Sequence, residues 1–321
     1  MLSPDLLRLV RYVAIAGAAL LAPLAASAQE KVAGTIVTMT PPPGYAAVTG
    51  FAGFANEATG GSIVVAELPA EAHAQLAAMF GDLDVAKTGF AAQGLTVERL
   101  EKLATAAGAE VPVLVGTQTA NGATFDKWVA LFDGERTVLV TAQSPQGAGT
   151  AGEEILGAMR SVSLGAPASV EEKLAALPLA IAAVEPFRVV DTIGGSGVLM
   201  TAGESNIDPS GLSPIIIAVY QLSAPLQQGQ AEQAAETLLR GTRGYGAAEI
   251  EGRETVDFAG EHGVLLTGTT KAPGGEAIRF AQYLAVGPDG RFIRLIAQAT
   301  PDDFTRLEGA IGQIADSISF K

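Results

Sequence analysis

The hydrophobic positions of this chain follow two kinds of spacing. Two short runs of apolar, β-branched residues, 63–67 and 215–221, are typical of buried strands. In other segments apolar residues recur every three or four positions, which is the spacing of an amphipathic helix. These segments are 71–80, 153–159, 230–240 and the C-terminal stretch that contains Phe304, Leu307, Ile311 and Ile314. We expect Gly241 to end the third helix, and Asp302 or Asp303 to cap the last one.

Tight turns divide the segment that follows each predicted first helix into several strands. Asn121-Gly122 is the strongest turn signal, because both residues tolerate the positive φ that a two-residue hairpin turn requires. Asp133-Gly134 predicts the next turn, and 273–275 and 288–290 carry turn residues at the matching points further along the chain. Each half of the chain is therefore expected to contain an antiparallel meander of three or four strands.

The chain repeats itself at a nearly constant offset. The apolar phrase around Gly116 returns around Gly268, 152 residues later, and the phrase that ends at Gln143 returns at Gln298, 155 residues later. Further matches join 63–70 to 217–224 and 157–164 to 312–320. Offsets that agree over four separated segments indicate two copies of one unit. The alternative is two unrelated halves that share ordinary β-rich patterns.

Residues 125–132 carry apolar side chains at both odd and even positions, so both faces of this strand should be covered. Helices are the elements available to cover them. The predicted fold class is therefore α+β, with two tandem copies of an antiparallel β-sheet domain and helices packed on the sheet. We place the first copy at 29–164 and the second at 179–321. The linker, 165–178, contains a short helix that begins with a capping box, Ser169 with Glu172.

Trp128 and Phe280 lie 152 residues apart and are predicted to occupy equivalent positions on the central strand of each meander. Lys127 and Arg279 precede them, so strand alternation sends the aromatic and the basic side chains to opposite faces. We expect both rings to fill the core beneath a helix and both cationic heads to reach water. The alternative interpretation of Lys127 and Arg279 is a duplicated anion site.

Residues 1–28 have the pattern of a secretory signal peptide. Two arginines precede an uncharged apolar run, and Ala26-Ser27-Ala28 supplies the small residues that signal peptidase requires. Cleavage is expected between Ala28 and Gln29. The alternative is a retained membrane anchor, but the uncharged stretch 12–28 is short for a membrane span. The protein is therefore predicted to be periplasmic or secreted, with no membrane span in the mature chain.

Composition narrows the classes of function. The 321 residues include no Cys, which excludes thiolate metal sites, iron–sulfur clusters, catalytic cysteines and a disulfide framework. A net charge of −14 argues against a nucleic-acid partner, because affinity for nucleic acid comes mainly from Lys and Arg on phosphates. No phosphate-binding glycine motif occurs among the 38 Gly residues. No cofactor is predicted.

Candidate catalytic residues are few. His73 and His262 are the only histidines, and they occupy different places in the two halves. Ser196 lies in a Gly-rich stretch that approaches a nucleophile elbow, but the final Gly and the following helix are missing, so a hairpin turn is favoured. No acid, base and nucleophile can be assembled from these residues. We therefore expect a protein without enzymatic activity, with an atypical hydrolase as the least favoured alternative.

One segment resembles the first half of a calcium-binding loop. Glu204, Asn206 and Asp208 alternate as the first ligands of such a loop do. Pro209 stands where that loop needs Gly, and Ile215 stands where it needs a bidentate Glu. A turn that begins at Asp208 is favoured over a metal site.

The order of elements resembles the PsbP-like and DcrB-like domains. The resemblance rests on an apolar strand, a helix, an antiparallel meander that ends in the phrase VLVTAQ (138–143), and a closing helix that ends in RSVSL (160–164). It covers nearly all of the mature chain, twice. It implies a sheet sandwiched by helices and a non-catalytic accessory or binding role in bacterial envelopes or thylakoid lumens. No ligand residue can be transferred, because no functional motif of the family is present.

These observations lead to two predictions of function. The first is a non-enzymatic exported accessory or binding protein that acts on a partner protein or an envelope component. The second is a carrier of a small apolar ligand, suggested by 48% hydrophobic residues. If the two copies pack as a pair, a groove between them is a favoured place for a ligand; they could instead be independent domains on a linker.

The processing site can be tested directly. Mass spectrometry of the exported protein should find Gln29 as its N-terminal residue, because signal peptidase cuts after the last small residue of Ala26-Ser27-Ala28. A chain that still carries residues 1–28 would contradict cleavage, and a start at another residue would correct its position.

Overall fold

The computed structural model of the chain describes residues 28–321, except 93, 121, 207 and 222–225. The predicted signal peptide lies outside the described residues, apart from Ala28. Among the described residues, no helix combines the length and the apolar character needed to cross a bilayer. We call the residues up to 164 the first half and the residues from 179 onward the second half.

Each half alternates strands with a small number of helices. The strands of the first half are β1 (Glu30–Lys31), β2 (Val37–Met39), β3 (Ala46–Ala47), β4 (Gly53–Asn56), β5 (Gly61–Leu68), β6 (Leu95–Ala104), β7 (Glu110–Ala120), β8 (Ala123–Phe132), β9 (Thr137–Pro145) and β10 (Ser163–Leu164). Its helices are α1 (Ala72–Phe80), α2 (Leu83–Ala91) and α3 (Gly152–Arg160). Helix α4 (Val170–Ala176) lies between the halves, and the capping box of Ser169 and Glu172 is present at its start.

The second half has a similar order of elements. Its strands are β11 (Leu179–Ala180), β12 (Arg188–Ile193), β13 (Gly197–Thr201), β14 (Ile215–Gln221), β15 (Glu249–Phe258), β16 (Glu261–Lys271), β17 (Ala277–Val286), β18 (Phe292–Ala299) and β19 (Ser319–Phe320). Its helices are a short 3-10 turn (Gln228–Gln230), α5 (Ala231–Gly241) and α6 (Pro301–Asp316).

Two seven-stranded antiparallel sheets form the framework. The first sheet has the order β3-β4-β5-β9-β8-β7-β6, and the second has the order β12-β13-β14-β18-β17-β16-β15. The two orders are the same, strand for strand. The predicted α+β class, with an antiparallel sheet and packed helices in each half, is confirmed.

The two sheets also share one irregularity, and it explains a matched glycine. Register shifts interrupt β6 after Val97 and β15 after Ile250, and these residues face Gly116 and Gly268 across the ladder. A Cβ on either glycine would lie 2.0 Å from a carbonyl oxygen of the bulged strand. Only Gly fits opposite such a bulge, so the same residue recurs at both positions.

Both faces of each sheet are covered, as the apolar pattern of β8 predicts. In the first half, α3 packs on the face of the sheet that carries Trp128, Ala130 and Phe132. Helices α1 and α2 pack on the other face, which carries Val129 and Leu131. In the second half, α6 and α5 take the corresponding positions on the two faces. The core therefore consists of one apolar layer on each side of each sheet.

The predicted equivalence of Trp128 and Phe280 is wrong by one residue. Gly116 faces Lys127, whereas Gly268 faces Phe280, so Phe280 takes the position of Lys127. Both rings are buried, at 5% and 0% exposure, but Trp128 packs on the α3 side and Phe280 on the α5 side.

Loop length explains the difference. Residues 121 and 122 join β7 to β8, whereas residues 272–276 join β16 to β17. Because side chains alternate with a period of two, loops that differ by an odd number of residues move every following side chain to the other face.

The two basic residues are therefore not equivalent either. Lys127 is half-buried, and burial lowers the pKa of its amine. Arg279 is exposed, and its guanidinium carbon lies 5.6 Å from the ring centroid of Phe304.

One predicted helix cap differs from the structure. Thr300, rather than Asp302 or Asp303, caps α6, because its hydroxyl accepts a hydrogen bond from the Asp303 N–H at 3.3 Å. Asp82 caps α2, a helix that the apolar spacing alone does not reveal.

The halves are joined by a cluster of four charged side chains, which we call the junction cluster. It contains Glu67 from β5, Arg136 from the loop before β9, Lys173 from α4 and Asp191 from β12. The two acidic and two basic side chains together carry no net charge. Glu67 and Lys173 are only 7% and 10% exposed.

Direct contacts hold the junction cluster together. Lys173 Nζ lies 2.8 Å from Asp191 Oδ1, and Arg136 Nη2 lies 2.7 Å from Asp191 Oδ2. Glu67 accepts a hydrogen bond from the Ile36 backbone N–H, and its other oxygen lies 3.7 Å from Lys173 Nζ. Because the four residues come from both halves and from the linker helix, their contacts hold the halves in one orientation.

The burial of Trp128 can be measured in the full chain. Trp128→Ala should lower the free energy of unfolding by roughly 3–5 kcal/mol, because it leaves a cavity in the α3-side core. Trp128→Phe should cost less, since it keeps most of the apolar volume and removes an indole N–H that finds no partner among the described residues. Lys127→Ala is the control and should cost little. Chemical denaturation followed by circular dichroism measures all three, and a Trp128→Ala midpoint equal to that of the unmodified protein would contradict burial.

The junction cluster should make stability depend on pH. Burial by itself raises the pKa of Asp191, but the hydrogen bonds from Lys173 and Thr192 and the attraction of Lys173 and Arg136 outweigh it and hold the pKa below its usual value. A lowered pKa stabilises the folded state above the unfolded pKa of about 4, and this contribution is lost as pH falls below it. Asp191→Asn should therefore cost about 1–3 kcal/mol at pH 7 and less at pH 3.

Asp84→Asn is the matched control, since Asp84 pairs with Lys87 on the surface. Urea denaturation of both variants at several pH values gives the comparison. A stability difference for Asp191→Asn that stays constant from pH 7 to pH 3 would count against the junction cluster.

Candidate functional site

A cavity of about 660 Å³ opens at one end of the first sheet. Its apolar surface comes from the end of α1, the loop between β6 and β7, the start of β7, the end of β8 and the segment that follows α3. The apolar side chains that line it are Ala77, Phe80, Ala107, Ala109, Val111, Pro112, Leu131, Phe132, Val162 and Leu164. Four charged or titratable residues, His73, Lys102, Glu110 and Asp133, also line it. We call this space the first-half cavity.

The loop between β6 and β7, residues 105–109, forms one wall of the cavity. Thr105 holds the loop closed: its hydroxyl donates to the Ala109 carbonyl and accepts from the Ala109 N–H, each at 3.1 Å. The backbone N–H of Ala106 donates to the carbonyl of Arg160 at 2.8 Å, which ties the loop to the end of α3. The wall is therefore held by hydrogen bonds at its base and along its length.

The charged residues of the cavity form two loose pairs. His73 Nδ1 lies 3.8 Å from Asp133 Oδ1, and Lys102 Nζ lies 3.8 Å from Glu110 Oε2. Exposed pairs at this distance contribute little to stability. Their side chains can turn to meet a polar group of a ligand at the mouth, while the apolar lining surrounds the remainder.

Covalent catalysis finds no support at this site. His73 makes no hydrogen bond to a hydroxyl group of any described residue, although Ser163 lines the same cavity. A nucleophile needs a base within hydrogen-bond reach. The arrangement is suited to binding.

The same end of the second half is built differently. The hairpin between β15 and β16 turns through two residues, Ala259 and Gly260, where the first half has five. Phe258 packs against Tyr283 with ring centroids 5.3 Å apart, and Phe320 packs against Tyr220 at 6.3 Å. The longer loop of the first half thus creates a wall that the second half lacks.

The other predicted candidates lie apart from the cavity. Ser196 lies in the turn between β12 and β13, and its hydroxyl lies 3.5 Å from the Ile193 carbonyl. Gly195 in this turn has a φ of +70°, and a Cβ there would lie 2.6 Å from Ala52 Cβ in the first half. The Gly-rich stretch therefore serves a turn and a close contact between the halves. His262 is 91% exposed beside Asp257.

The segment that resembles a calcium loop forms a turn. Asp208 accepts hydrogen bonds from the Ser210 hydroxyl and from the backbone N–H groups of Ser210, Leu212 and Ser213. These bonds, the Ser210 hydroxyl first, hold the pKa of Asp208 well below its usual value. Within the described part of the chain, no group of three or more His, Asp or Glu side chains is placed to hold a metal ion.

The contact between the halves offers little room. The space bordered by the junction cluster and Gly195 amounts to about 20 Å³, enough for about one water molecule. The sequence allows two arrangements, a ligand groove between the copies or independent domains. At this contact the described residues leave no space for a ligand groove.

Sequence reasoning misses most of the first-half cavity. The sequence presents His73 as an isolated histidine and Asp133 as a turn residue. Lys102, Glu110 and the loop 105–109 carry no motif. The one signal in the sequence is that the two aligned hairpins differ in length at this point.

Comparisons with known proteins give structural likenesses only. No family model matches the chain, and no curated protein matches it. LpqN of Mycobacterium tuberculosis, described as involved in cell envelope biogenesis, is 19% identical, with a TM-score of 0.36 over 44% of this chain and 83% of LpqN. Cyanobacterial PsbP (CyanoP) of Synechocystis is 12% identical, with a TM-score of 0.30 over 45% of this chain and 82% of its own.

A third likeness extends over both halves. TplEi of Pseudomonas aeruginosa, described as an immunity protein of T6SS, is 11% identical, with a TM-score of 0.32 over 91% of this chain and 96% of TplEi. CyanoP is a PsbP protein, from the family that the sequence resembles. The TM-scores are low, so the fold described above rests on the strand order of this chain itself.

Proposed function

We propose that this chain is an exported binding protein without enzymatic activity, and that the first-half cavity takes the apolar part of its ligand. The observation that carries the proposal is the cavity: its volume of about 660 Å³ lies in the range of small-molecule sites, and most of its lining is apolar. Export rests on the signal peptide predicted at residues 1–28.

The differences between the halves support a specialised site. The sheets share strand order and bulge, which supports our proposal that 29–164 and 179–321 are two copies of one unit joined by 165–178. The loop that walls the cavity is one of the features in which the copies differ. A loop added to a repeated framework is a common origin of a binding site.

The ligand could be a free small molecule or the apolar end of an envelope component. Both would present the same chemistry to the cavity: an apolar group inside, and a polar group among His73, Lys102, Glu110 and Asp133. A partner protein would then be bound through such a group rather than through a broad flat surface.

A blocked cavity tests the proposal. The neutral fluorescent probe N-phenyl-1-naphthylamine should bind the full mature chain, and Ala109→Trp should weaken its binding, because the indole would occupy the space beside Val111 and Pro112. Ala183→Trp, at an exposed position of the second half, is the control and should bind as the unmodified protein does. Probe binding unchanged by Ala109→Trp would overturn the assignment.

Native mass spectrometry distinguishes the two sources. Protein purified from the exported fraction should carry an added small-molecule mass if the ligand is free, and Ala109→Trp should lack that mass. If the ligand belongs to an envelope component, the purified protein should be empty, and an envelope extract should displace the probe from the unmodified protein. An empty protein whose probe is not displaced would contradict both sources.

A further inference from the structure

An arginine lies within the second half without an acidic partner among the described residues. Arg294 is on β18, on the face covered by α5, and is mostly buried. Its Nε donates to Gln282 Oε1 at 2.8 Å, and its Nη2 donates to Thr242 Oγ1 at 2.9 Å. Both acceptors are neutral. The guanidinium is thus positioned by hydrogen bonds that leave its charge unbalanced.

The two side chains that accept hydrogen bonds from Arg294 are themselves oriented by hydrogen bonds. Gln282 is fully buried, and its Nε2 donates to the Ala235 carbonyl in α5 at 2.8 Å. The Thr242 hydroxyl donates to the Leu238 carbonyl at 2.7 Å. Each acceptor therefore has a fixed orientation, and the guanidinium is held in place before any ligand arrives.

No described carboxylate compensates the charge. Arg253 on β15, for comparison, pairs with Glu232 and Glu236. Arg294 forms no ion pair with any described residue, and burial lowers the pKa of its guanidinium. Its Nη1 makes no hydrogen bond within the described part of the chain and is accessible to solvent. Nη1 and the second hydrogen of Nη2 form an outer edge that suits two oxygens of an anion.

The first half shows that the fold does not need this charge. In the matched register, Leu139 occupies the position of Arg294, and Val129 occupies that of Gln282. Val129 is buried, and Leu139 packs against the same apolar cluster. Because an apolar pair serves the same framework in the first half, the polar network of the second half has a reason beyond folding.

An apolar cleft of about 300 Å³ lies between α5 and the start of β18. Leu226, Leu238 and Phe292 provide its apolar walls. Phe292 precedes Arg294 by two residues on the same strand face, about 7 Å away. Leu238 also carries the carbonyl that holds Thr242. Arg294 does not line the cleft itself, but the cleft reaches Phe292 on the same strand and Leu238, which lies one helical turn before Thr242.

We propose that Arg294 binds the anionic headgroup of an amphiphile, a carboxylate or a phosphate, and that the cleft lined by Leu238 and Phe292 takes the apolar chain. We call this the second-half site. Arg is suited to this role because its planar edge offers two parallel N–H donors to two oxygens. The site is separate from the first-half cavity and goes beyond the proposed function.

The test uses ligands of equal chain length and different charge. The full mature chain is titrated by calorimetry with decanoate, decyl phosphate and decan-1-ol. The double variant Gln282→Val with Arg294→Leu copies the apolar pair of the first half, so it should fold. It should bind the preferred anion about tenfold more weakly or worse, as expected for the loss of charge-assisted hydrogen bonds.

Arg243→Leu is the matched control. Arg243 is exposed and directly follows Thr242, so this variant removes the same charge nearby and should leave the affinity unchanged. Ala109→Trp, which blocks the first-half cavity, should also leave anion binding in place, so the two sites fail independently.

Each outcome of the titration either supports or overturns the second-half site. Stronger binding of decanoate or of decyl phosphate than of decan-1-ol, lost only in the double variant, supports the site and identifies the headgroup. Equal affinity for the alcohol and both anions, anion binding that survives the double variant, or no binding of either anion would overturn it.

Discussion

Strand register is the constraint on which the rest of this structure depends. Each strand residue points to one of two faces, so the register of a seven-stranded sheet decides which side chains share a core and which reach a cavity. A bulge at the same place in each sheet, in β6 and in β15, faces a glycine, Gly116 or Gly268, because no other residue fits there. The two halves have the same order of strands in their sheets.

The candidate sites lie where the two halves differ, although both halves share the same order of strands. An odd difference in loop length places Lys127 where the second half has Phe280. Three additional residues between β6 and β7 create a wall of the first-half cavity. Gln282 and Arg294 replace an apolar pair beneath α5. Each half thus carries its own candidate site, and neither site is a copy of the other.

The junction cluster gives the two halves a defined relative orientation. Burying Glu67 and Lys173 costs several kcal/mol per ion, and pairing with hydrogen bonds offsets this cost only when the geometry is good. We therefore interpret the contacts among Glu67, Arg136, Lys173 and Asp191 as a source of orientation more than of net stability. Gly195 against Ala52 adds a close steric fit beside the charges. The two candidate sites are therefore held in a fixed position relative to each other.

The sequence by itself determined the local and periodic features of this protein. Apolar spacing predicts α1, α3, α5 and α6, turn residues predict the meanders, and the repeated phrases predict two similar sheets, because each of these signals depends on neighbouring residues. The capping box at Ser169 and the turn at Asp208 are local in the same way. The family resemblance depends on this same order of elements.

Only the tertiary structure decided which distant residues meet. Asp133 and His73, Lys102 and Glu110, and the four residues of the junction cluster come from separate strands, helices and loops, and no spacing along the chain relates them. The error of one residue in matching Trp128 to Phe280 has the same origin, since the face of a strand depends on pairing across the sheet. Arg294 is the clearest case, because only the positions of its neighbours in space reveal that no described carboxylate pairs with it.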